Sequence, residues 1–250
     1  MTSLAQRWGI GLTLSVGLSV GLVAGVNRPA QAESRITIGT GVECVGSYSG
    51  LSGDGLCTYE RVNGEGVPYN YYDGRLVNGQ PEGRGVLVYS NGDRYEGNFV
   101  NGLPNGTGMF LYENGDRYEG TFQNGRFNGR GEFTYAEGDH YVGSFSDGQP
   151  HGRGTFFYAE TNASYSGEFK YGQAHGNGVT QSNGVRCEGW FFDSTLNGNV
   201  TCSYPSNSMI SSYVGEVRGG LANGRGVRTW INGQRFEGQF VNDVFVRNDR

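Results

Sequence analysis

The chain has 250 residues, and its composition is unusual because 46 are glycine, only 6 are proline and 13% are aromatic. Scarce proline excludes collagen and proline-rich linkers, and the aromatic content excludes a disordered chain, which cannot bury such side chains. The formal net charge of −5 disfavours nucleic acid and anionic lipid surfaces as partners. Glycine, tyrosine, phenylalanine and Asn-Gly pairs suit short strands and tight turns, so the composition predicts an all-β fold.

The first 32 residues have the layout of a secretory signal peptide. Arg7 precedes an uncharged, mostly apolar run from Trp8 to Val26, and the PAQA segment at 29–32 offers a small-x-small cleavage signal. We predict cleavage after Ala32, which leaves 17 basic and 24 acidic residues, a net charge of −7, and an extracytoplasmic protein, either periplasmic or secreted. The alternative is an uncleaved membrane anchor, because the run is nearly long enough to span a bilayer.

A motif of 23 residues repeats along the rest of the chain. The segment NGDRYEG occurs at Asn91–Gly97 and again at Asn114–Gly120, and the consensus is Y-E-G-x-F-x-N-G-x-x-x-G-x-G-x-x-x-Y-x-N-G-D-R, whose places are called repeat positions 1 to 23. The copies, of which the first is degenerate and the last is half a copy, begin at Cys44, Tyr72, Tyr95, Tyr118, Tyr141, Tyr165, Cys187, Tyr213 and Phe236. A fixed period of this size is typical of stacked arrays, in which no unit buries its apolar face alone.

These copies resemble the MORN repeat, whose hallmark is Y-x-G-x-x-x-x-G-x-x-x-G-x-G. The segments Tyr95–Gly108 and Tyr118–Gly131 match it closely. The resemblance implies an elongated, solenoid-like array of antiparallel β-hairpins in one twisted sheet over residues 44–240, between a lead-in at 33–43 and a tail at 241–250. It also implies an interaction module, since MORN proteins serve in binding, some at membranes and some attached to catalytic domains. We expect no catalytic domain here, because the array fills nearly the whole mature chain.

The residues by themselves predict the same arrangement. Side chains alternate between the faces of a strand, so positions 1, 3 and 5 share one face with positions 14, 16 and 18. Glycine at positions 3 and 14 leaves room for neighbouring rings to lie over bare backbone. The Asn-Gly pair at positions 20 and 21 predicts the turn into the next copy. Because a two-residue loop there would put the strands out of phase, we expect a three-residue loop with a left-handed glycine and a bulge.

The charges of NGDRYEG are expected to be solvated groups around that turn, and not a reaction centre. A catalytic site is normally assembled once, whereas the same three charged residues recur at Asp93, Arg94 and Glu96 and again 23 residues later. The mature chain also has no nucleophile motif and no phosphate-binding loop. The sequence therefore predicts a protein that is not an enzyme and carries no cofactor.

The four cysteines predict two disulfide bonds that each staple one hairpin. Cys44 and Cys187 open their copies, and Cys202 falls at position 16 of its copy. Cys57 falls there too if the first copy has a loop two residues shorter. Six copies separate Cys44 from Cys187, about 58 Å at two strands per copy, which no disulfide spans. We therefore predict the bonds Cys44–Cys57 and Cys187–Cys202, each in a copy that lacks the tyrosine of position 1. The same distance argues against a metal site made of all four cysteines.

The face of the sheet opposite the tyrosines of position 1, called the second face, is expected to be polar. Apolar side chains at positions on this face therefore predict a contact surface. Trp190 and Phe192 stand at positions 4 and 6, and Tyr171, Lys170 and His175 are expected to rim the same patch. Position 17 adds three more apolar residues, Val88, Leu111 and Phe157. The alternative is that the twist of the sheet or the terminal segments cover these side chains.

Two histidines, His151 and His175, share position 11 in adjacent copies. Two histidines so placed could contribute to a metal site. Asparagine occupies the same repeat position in other copies, however, so these histidines also suit an ordinary turn. No third ligand is evident, so we predict no metal.

The leading functional hypothesis is an exported, non-catalytic module that binds or scaffolds proteins in the cell envelope or outside the cell. Two alternatives remain open: an envelope glycan stacked on Trp190 and Phe192, or a lipid surface. The charge of −7 argues against the lipid and against nucleic acid.

Overall fold

The computed structural model describes residues 34–38, 42–59 and 69–248, and the predicted signal peptide at 1–32 lies outside them. Within these ranges the regular secondary structure consists of strands alone, which confirms the all-β prediction. No helix in them is long and apolar enough to cross a membrane. The chain forms two compact units that divide between Ala136 and Glu137, and each is described separately below.

The N-terminal unit consists of nine described strands. Each is antiparallel to the next in sequence, as predicted for successive hairpins. Their bounds are β1 (Ser34–Thr37), β2 (Val42–Ser49), β3 (Ser52–Tyr59), β4 (Tyr69–Val77), β5 (Gln80–Tyr89), β6 (Arg94–Val100), β7 (Leu103–Leu111), β8 (Arg117–Gln123) and β9 (Arg126–Thr134).

The C-terminal unit continues the pattern with ten strands in its described part, again paired in sequence order. Their bounds are β10 (His140–Ser146), β11 (Gln149–Tyr158), β12 (Ala163–Lys170), β13 (Gln173–Ser182), β14 (Val185–Phe192), β15 (Thr195–Ser203), β16 (Ile210–Arg218), β17 (Leu221–Trp230), β18 (Arg235–Val241) and β19 (Val244–Asn248). Strand β1 thus lies in the predicted lead-in, and β19 lies in the predicted tail.

Two kinds of turn alternate along the chain. Between copies, the Tyr89 N–H donates to Asp93 O at 2.8 Å and the Gly92 N–H donates to Tyr89 O at 3.1 Å, with Gly92 at φ 97°. This is the predicted three-residue loop with a left-handed glycine, and it restores the phase, because Leu87 pairs with Tyr95. Within a copy, positions 7 and 8 form a two-residue turn whose two residues both have positive φ, as primed hairpin turns require.

The core of each unit is built from the tyrosine at position 1. Tyr95 is fully buried, and its ring meets Phe99 of its own copy at 5.0 Å and Phe122 of the next copy at 4.9 Å, both edge-on. Its hydroxyl donates to Asn98 O at 2.9 Å, which satisfies the buried polar group. A Cβ added to Gly108 would lie only 2.6 Å from Cε2 of Tyr95. The glycines at positions 3 and 14 therefore serve the packing of this ring, as expected.

The structure pairs Cys44 with Cys57 and Cys187 with Cys202, the pairs that the spacing predicts. In each case the two cysteines are directly opposite each other on neighbouring strands. In the copy that begins at Cys187, Val200 replaces the glycine of position 14. Its Cγ1 lies 2.7 Å from where a Cβ on Gly189 would be, so valine and the disulfide fill the space of the missing tyrosine.

Candidate binding surfaces

The aspartate of NGDRYEG is a structural residue and not a solvated charge, so that expectation was wrong. Asp116 is only 8% exposed, and its Oδ1 accepts a 2.9 Å hydrogen bond from the N–H of Ala136, in the next turn along the sheet. Its other oxygen accepts from Nδ2 of Asn114 at 3.0 Å. The same bond to the next turn is made by Asp93 with Glu113 and by Asp139 with Ala159. Each aspartate thus ties two successive turns together.

The arginine and glutamate of the motif form ion pairs on the face opposite the rings. Nη2 of Arg94 lies 2.7 Å from Oε2 of Glu96, and Arg117 pairs with Glu119 in the same way. All four side chains are partly exposed, so each pair contributes little to stability. The same ion pair thus recurs in two copies at the same repeat positions.

Exposed aromatic residues gather near the two-residue turns of the C-terminal unit, and we call this group the aromatic surface. It comprises Lys170 with the rings of His151, Tyr171, His175, Trp190 and Phe192. The ring of His175 lies 6.1 Å from that of Trp190 and 5.6 Å from that of Phe192. Trp190 is 47% exposed and Phe192 is 55% exposed. Within the C-terminal unit the sheet therefore leaves these two rings open to solvent.

Tyr171 is the most exposed ring of the aromatic surface and stands in a strained backbone position. It is 69% exposed at φ 49°, in the turn slot where other copies carry Asn101, Asn124 or Asp147. Positive φ is uncommon for a residue with a bulky side chain. The ring lies 5.7 Å from that of His151, and Nζ of Lys170 lies 5.8 Å from its centroid. Strain of this kind is typical of residues retained for function.

Three of the residues predicted for this surface lie elsewhere. Phe157 is at the far end of β11 from His151 and stacks on His140 at 4.5 Å. Val88 and Leu111 belong to the N-terminal unit, where both are cross-strand neighbours of Arg94. Within the C-terminal unit, Phe157 is therefore not among the rings of the aromatic surface.

A polar trough on the second face of the N-terminal unit was missed by sequence reasoning. It encloses about 600 Å³ and crosses strands β5 to β9. Its floor is the backbone of the paired glycines Gly97, Gly108 and Gly120, where a Cβ would point to the opposite, ring-packed face and meet a core tyrosine. The side chains of its banks are Arg84, Glu96, Asn98, Thr107, Met109, Glu119, Thr121 and Arg130.

Within the described residues, no group of three or more histidine, cysteine, aspartate or glutamate side chains is placed to hold a metal ion. His151 and His175 instead contact Tyr171 and Trp190, respectively.

The fold and the repeat define a class, the β-hairpin repeat proteins, and the comparisons identify the family. The MORN repeat matches at six segments that together cover more than half of the chain: residues 72–94, 95–117, 118–140, 141–161, 165–185 and 213–235. The chain belongs to the MORN repeat family. The copies that begin at Cys44 and Cys187 are outside the matched segments, and these are the two copies that carry disulfides.

Comparison with solved structures gives a distant likeness. The TCP domain of SAS-4 (dCPAP) of Drosophila melanogaster, solved in complex with a proline-rich motif of Ana2 (dSTIL), is 14% identical. The alignment covers 88% of this chain and 99% of that one at a TM-score of 0.38, which is too low to carry an argument about function. No curated protein shows significant similarity to the chain.

Proposed function

We propose that this protein is an exported, non-catalytic binding module that holds a protein partner at the aromatic surface. MORN repeats suggest a protein- or membrane-binding module, and the net charge favours the protein. Two disulfides fit an oxidising compartment, as does the signal-peptide layout of residues 1–32. N-terminal sequencing of the mature protein tests export, and the expected first residue is Glu33. A cytoplasmic protein that still begins at Met1 would contradict export.

The observation that carries the proposal is the exposure of three large aromatic rings, one of which stands in a strained turn. Tryptophan and tyrosine dominate the energetic centres of protein interfaces, because they bury a large area with little loss of side-chain entropy. Here Trp190, Phe192 and Tyr171 are all exposed, and Tyr171 occupies a backbone conformation that favours asparagine or glycine. A ring retained at that energetic cost is best explained by a contact with a partner.

The test is a pull-down from the envelope fraction of the source cell with the mature protein as bait. The double variant Trp190→Ala/Phe192→Ala removes the two rings. The matched control is Met209→Ala/Ile231→Ala, because these two side chains are also highly exposed in the C-terminal unit and sit at turns between copies. All three baits must show the same melting temperature.

The proposal expects one protein to be retained by the parent and the control and lost by Trp190→Ala/Phe192→Ala. Retention by all three baits would place the contact elsewhere. A third outcome is that the parent retains envelope polysaccharide but no protein. If Trp190→Ala/Phe192→Ala then loses that polysaccharide, the aromatic surface binds a glycan instead.

A further inference from the structure

The trough of the N-terminal unit has a charge balance that restricts its ligand. The lining contains the guanidinium groups of Arg84 and Arg130 and the carboxylates of Glu96 and Glu119. On the neighbouring strands β5 and β6, Nη2 of Arg84 lies 3.8 Å from Oε1 of Glu96. Equal numbers of opposite charges attract neither a polyanion nor a polycation strongly. A neutral ligand therefore fits this lining best.

The polar groups of the trough are held in place by the strands and by one another. Nη2 of Arg94 fixes Glu96 at 2.7 Å, and Nδ2 of Asn98 donates to the backbone and the hydroxyl of Thr107, at 3.2 Å each. These hydrogen bonds and ion pairs hold the lining side chains in fixed positions before a ligand binds. Less side-chain entropy is therefore lost on binding.

The lining suits hydroxyl groups better than it suits a peptide. A sugar hydroxyl both donates and accepts, and the trough offers acceptors at Glu96 and Glu119, donors at Arg84 and Arg130, and groups of both kinds at threonine and asparagine. An extended peptide needs either unpaired backbone groups or apolar anchor pockets. Strands β5 to β9 are paired inside the sheet, and Met109 is the one apolar side chain of the lining with more than a methyl group to offer.

The spacing of equivalent side chains along the trough also matches the repeat length of a polymer. Glu96 and Glu119 occupy the same repeat position in adjacent copies, so they recur every two strands, about 9.6 Å apart. A β-1,4-linked polysaccharide in its extended form repeats its chemistry every two sugars, over a similar length. From β5 to β9 the trough crosses four strand spacings, about 19 Å, which accommodates two such repeats.

We propose that this trough binds a linear, uncharged β-linked polysaccharide that runs across the strands. The site is separate from the aromatic surface and does not rest on the protein-binding function proposed above. A protein that used both would bind a protein partner and a polysaccharide through one chain.

The test is calorimetric titration of the whole protein with three hexasaccharides. Chitohexaose and cellohexaose are uncharged and β-1,4-linked, whereas maltohexaose is α-linked and curls. Two double variants alter the trough, Glu96→Gln/Glu119→Gln and Arg84→Gln/Arg130→Gln. The control is Arg35→Gln/Glu43→Gln, which removes an exposed ion pair of the same unit outside the trough. Equal melting temperatures establish that all variants are folded.

We expect at least one β-linked hexasaccharide to bind and maltohexaose to bind at least about tenfold more weakly. Each trough variant should weaken binding by about tenfold, since each removes hydrogen bonds from charged groups, and the control should leave it unchanged. The proposal is overturned if neither β-linked sugar binds, if both trough variants bind as the parent does, or if Trp190→Ala/Phe192→Ala abolishes binding instead. Because the pull-down reports on the aromatic surface, either proposal can fail without the other.

Discussion

A buried tyrosine and a pair of glycines recur in most copies, a turn aspartate recurs in three of them, and each has a separate structural task. The tyrosine supplies the core ring, the glycines make room for it, and the aspartate joins the turn to the next. In Tyr118 the ring is fully buried while its hydroxyl donates to Thr121 O at 2.9 Å. These structural roles explain why the same residues return at a fixed period.

The turn aspartate gives a prediction at the residue scale. Replacing Asp116 with alanine removes the acceptor of the Ala136 N–H and of Nδ2 of Asn114. Because the site is nearly buried, the unpaired donors should lower the free energy of unfolding by about 1–3 kcal/mol. Urea unfolding followed by tyrosine fluorescence measures the change.

The control is Glu113→Ala, which removes an exposed carboxylate from the same loop and should change stability by less than about 0.5 kcal/mol. Equal stability of Asp116→Ala and Glu113→Ala would show that the bond between turns contributes nothing.

At the scale of the element, the hairpin depends on two turns with different requirements. The three-residue loop needs a left-handed glycine at one place, whereas the two-residue loop needs two residues at positive φ. Asn101–Gly102 meets the second requirement with residue types that adopt positive φ readily, whereas Tyr171–Gly172 meets it with a bulky aromatic residue and so departs from the usual sequence. The departure lies within the aromatic surface.

The turn at Tyr171 gives a prediction about the cost of that departure. The variant Tyr171→Asn restores the side chain found at the equivalent Asn124 and should raise the free energy of unfolding by about 1 kcal/mol. The reciprocal variant Asn124→Tyr should lower it by a similar amount. Thermal melts of both variants beside the parent measure the pair of changes.

A protein-binding role for Tyr171 adds a second readout, since Tyr171→Asn should retain less partner in the pull-down although it is more stable. If Tyr171→Asn proved less stable than the parent, the strain argument would be wrong.

The hairpin closed by Cys187 and Cys202 gives a second prediction at this scale. Their sequence separation is 15, and a closed loop of that size stabilises the fold by about 3 kcal/mol through the entropy of the unfolded chain. The variant Cys187→Ala/Cys202→Ala should therefore melt at a lower temperature while its circular dichroism at room temperature keeps the β signal.

Reducing agent should lower the melting temperature of the parent more than that of this variant, which retains only the Cys44–Cys57 bond. Identical melting of the oxidised and reduced parent would contradict a stabilising role for both bonds.

At the scale of the whole molecule, the core of each unit contains buried tyrosine side chains. Burial raises the pKa of Tyr95, Tyr118 and Tyr141 well above the ordinary value of 10.0. Burial likewise raises the pKa of Tyr213, to about 12. The cause in each case is desolvation, which disfavours the phenolate.

These shifts predict loss of stability in alkali. The folded state keeps the phenols neutral while the unfolded chain ionises near pH 10, so unfolding releases protons above that pH. The stabilisation is complete below about pH 10 and falls as pH rises through the folded pKa of Tyr213 and beyond. Urea midpoints measured at intervals from about pH 9 to 12 should therefore decline steadily once pH 10 is passed, and a flat profile would contradict buried, neutral phenols.

Much of the fold could be predicted from the sequence because its rules are local. Alternation of side chains places Tyr95 and Phe110 on one face, and phase restoration demands the loop that ends at Gly92. The cysteine spacing restricts the disulfides to two hairpins. Each of these conclusions needs only residues within one copy or its immediate neighbour, and the repeat supplies the same information several times.

The candidate sites were less predictable, since they depend on side chains from different copies. Trp190 and Phe192 could be singled out because they break the alternation, but Val88 and Leu111 break it too and lie in the other unit. The trough gave no sequence signal, because glutamate, arginine and threonine on an exposed face are typical of any soluble sheet. The side chains that line the trough come from different copies, so the trough can be recognised only when the pairing of the strands is known.

By itself the sequence determined the repeat, the strand faces, the turn between copies and the cysteine pairs, because period and spacing are properties of the chain. Only the tertiary structure decided that Asp116 is buried, because its bonding partner, the N–H of Ala136, is 20 residues away and reaches it through strand pairing. It also decided which exposed rings lie around His175 and which charged side chains line the trough. Such contacts depend on which strands are neighbours and on how far each side chain reaches.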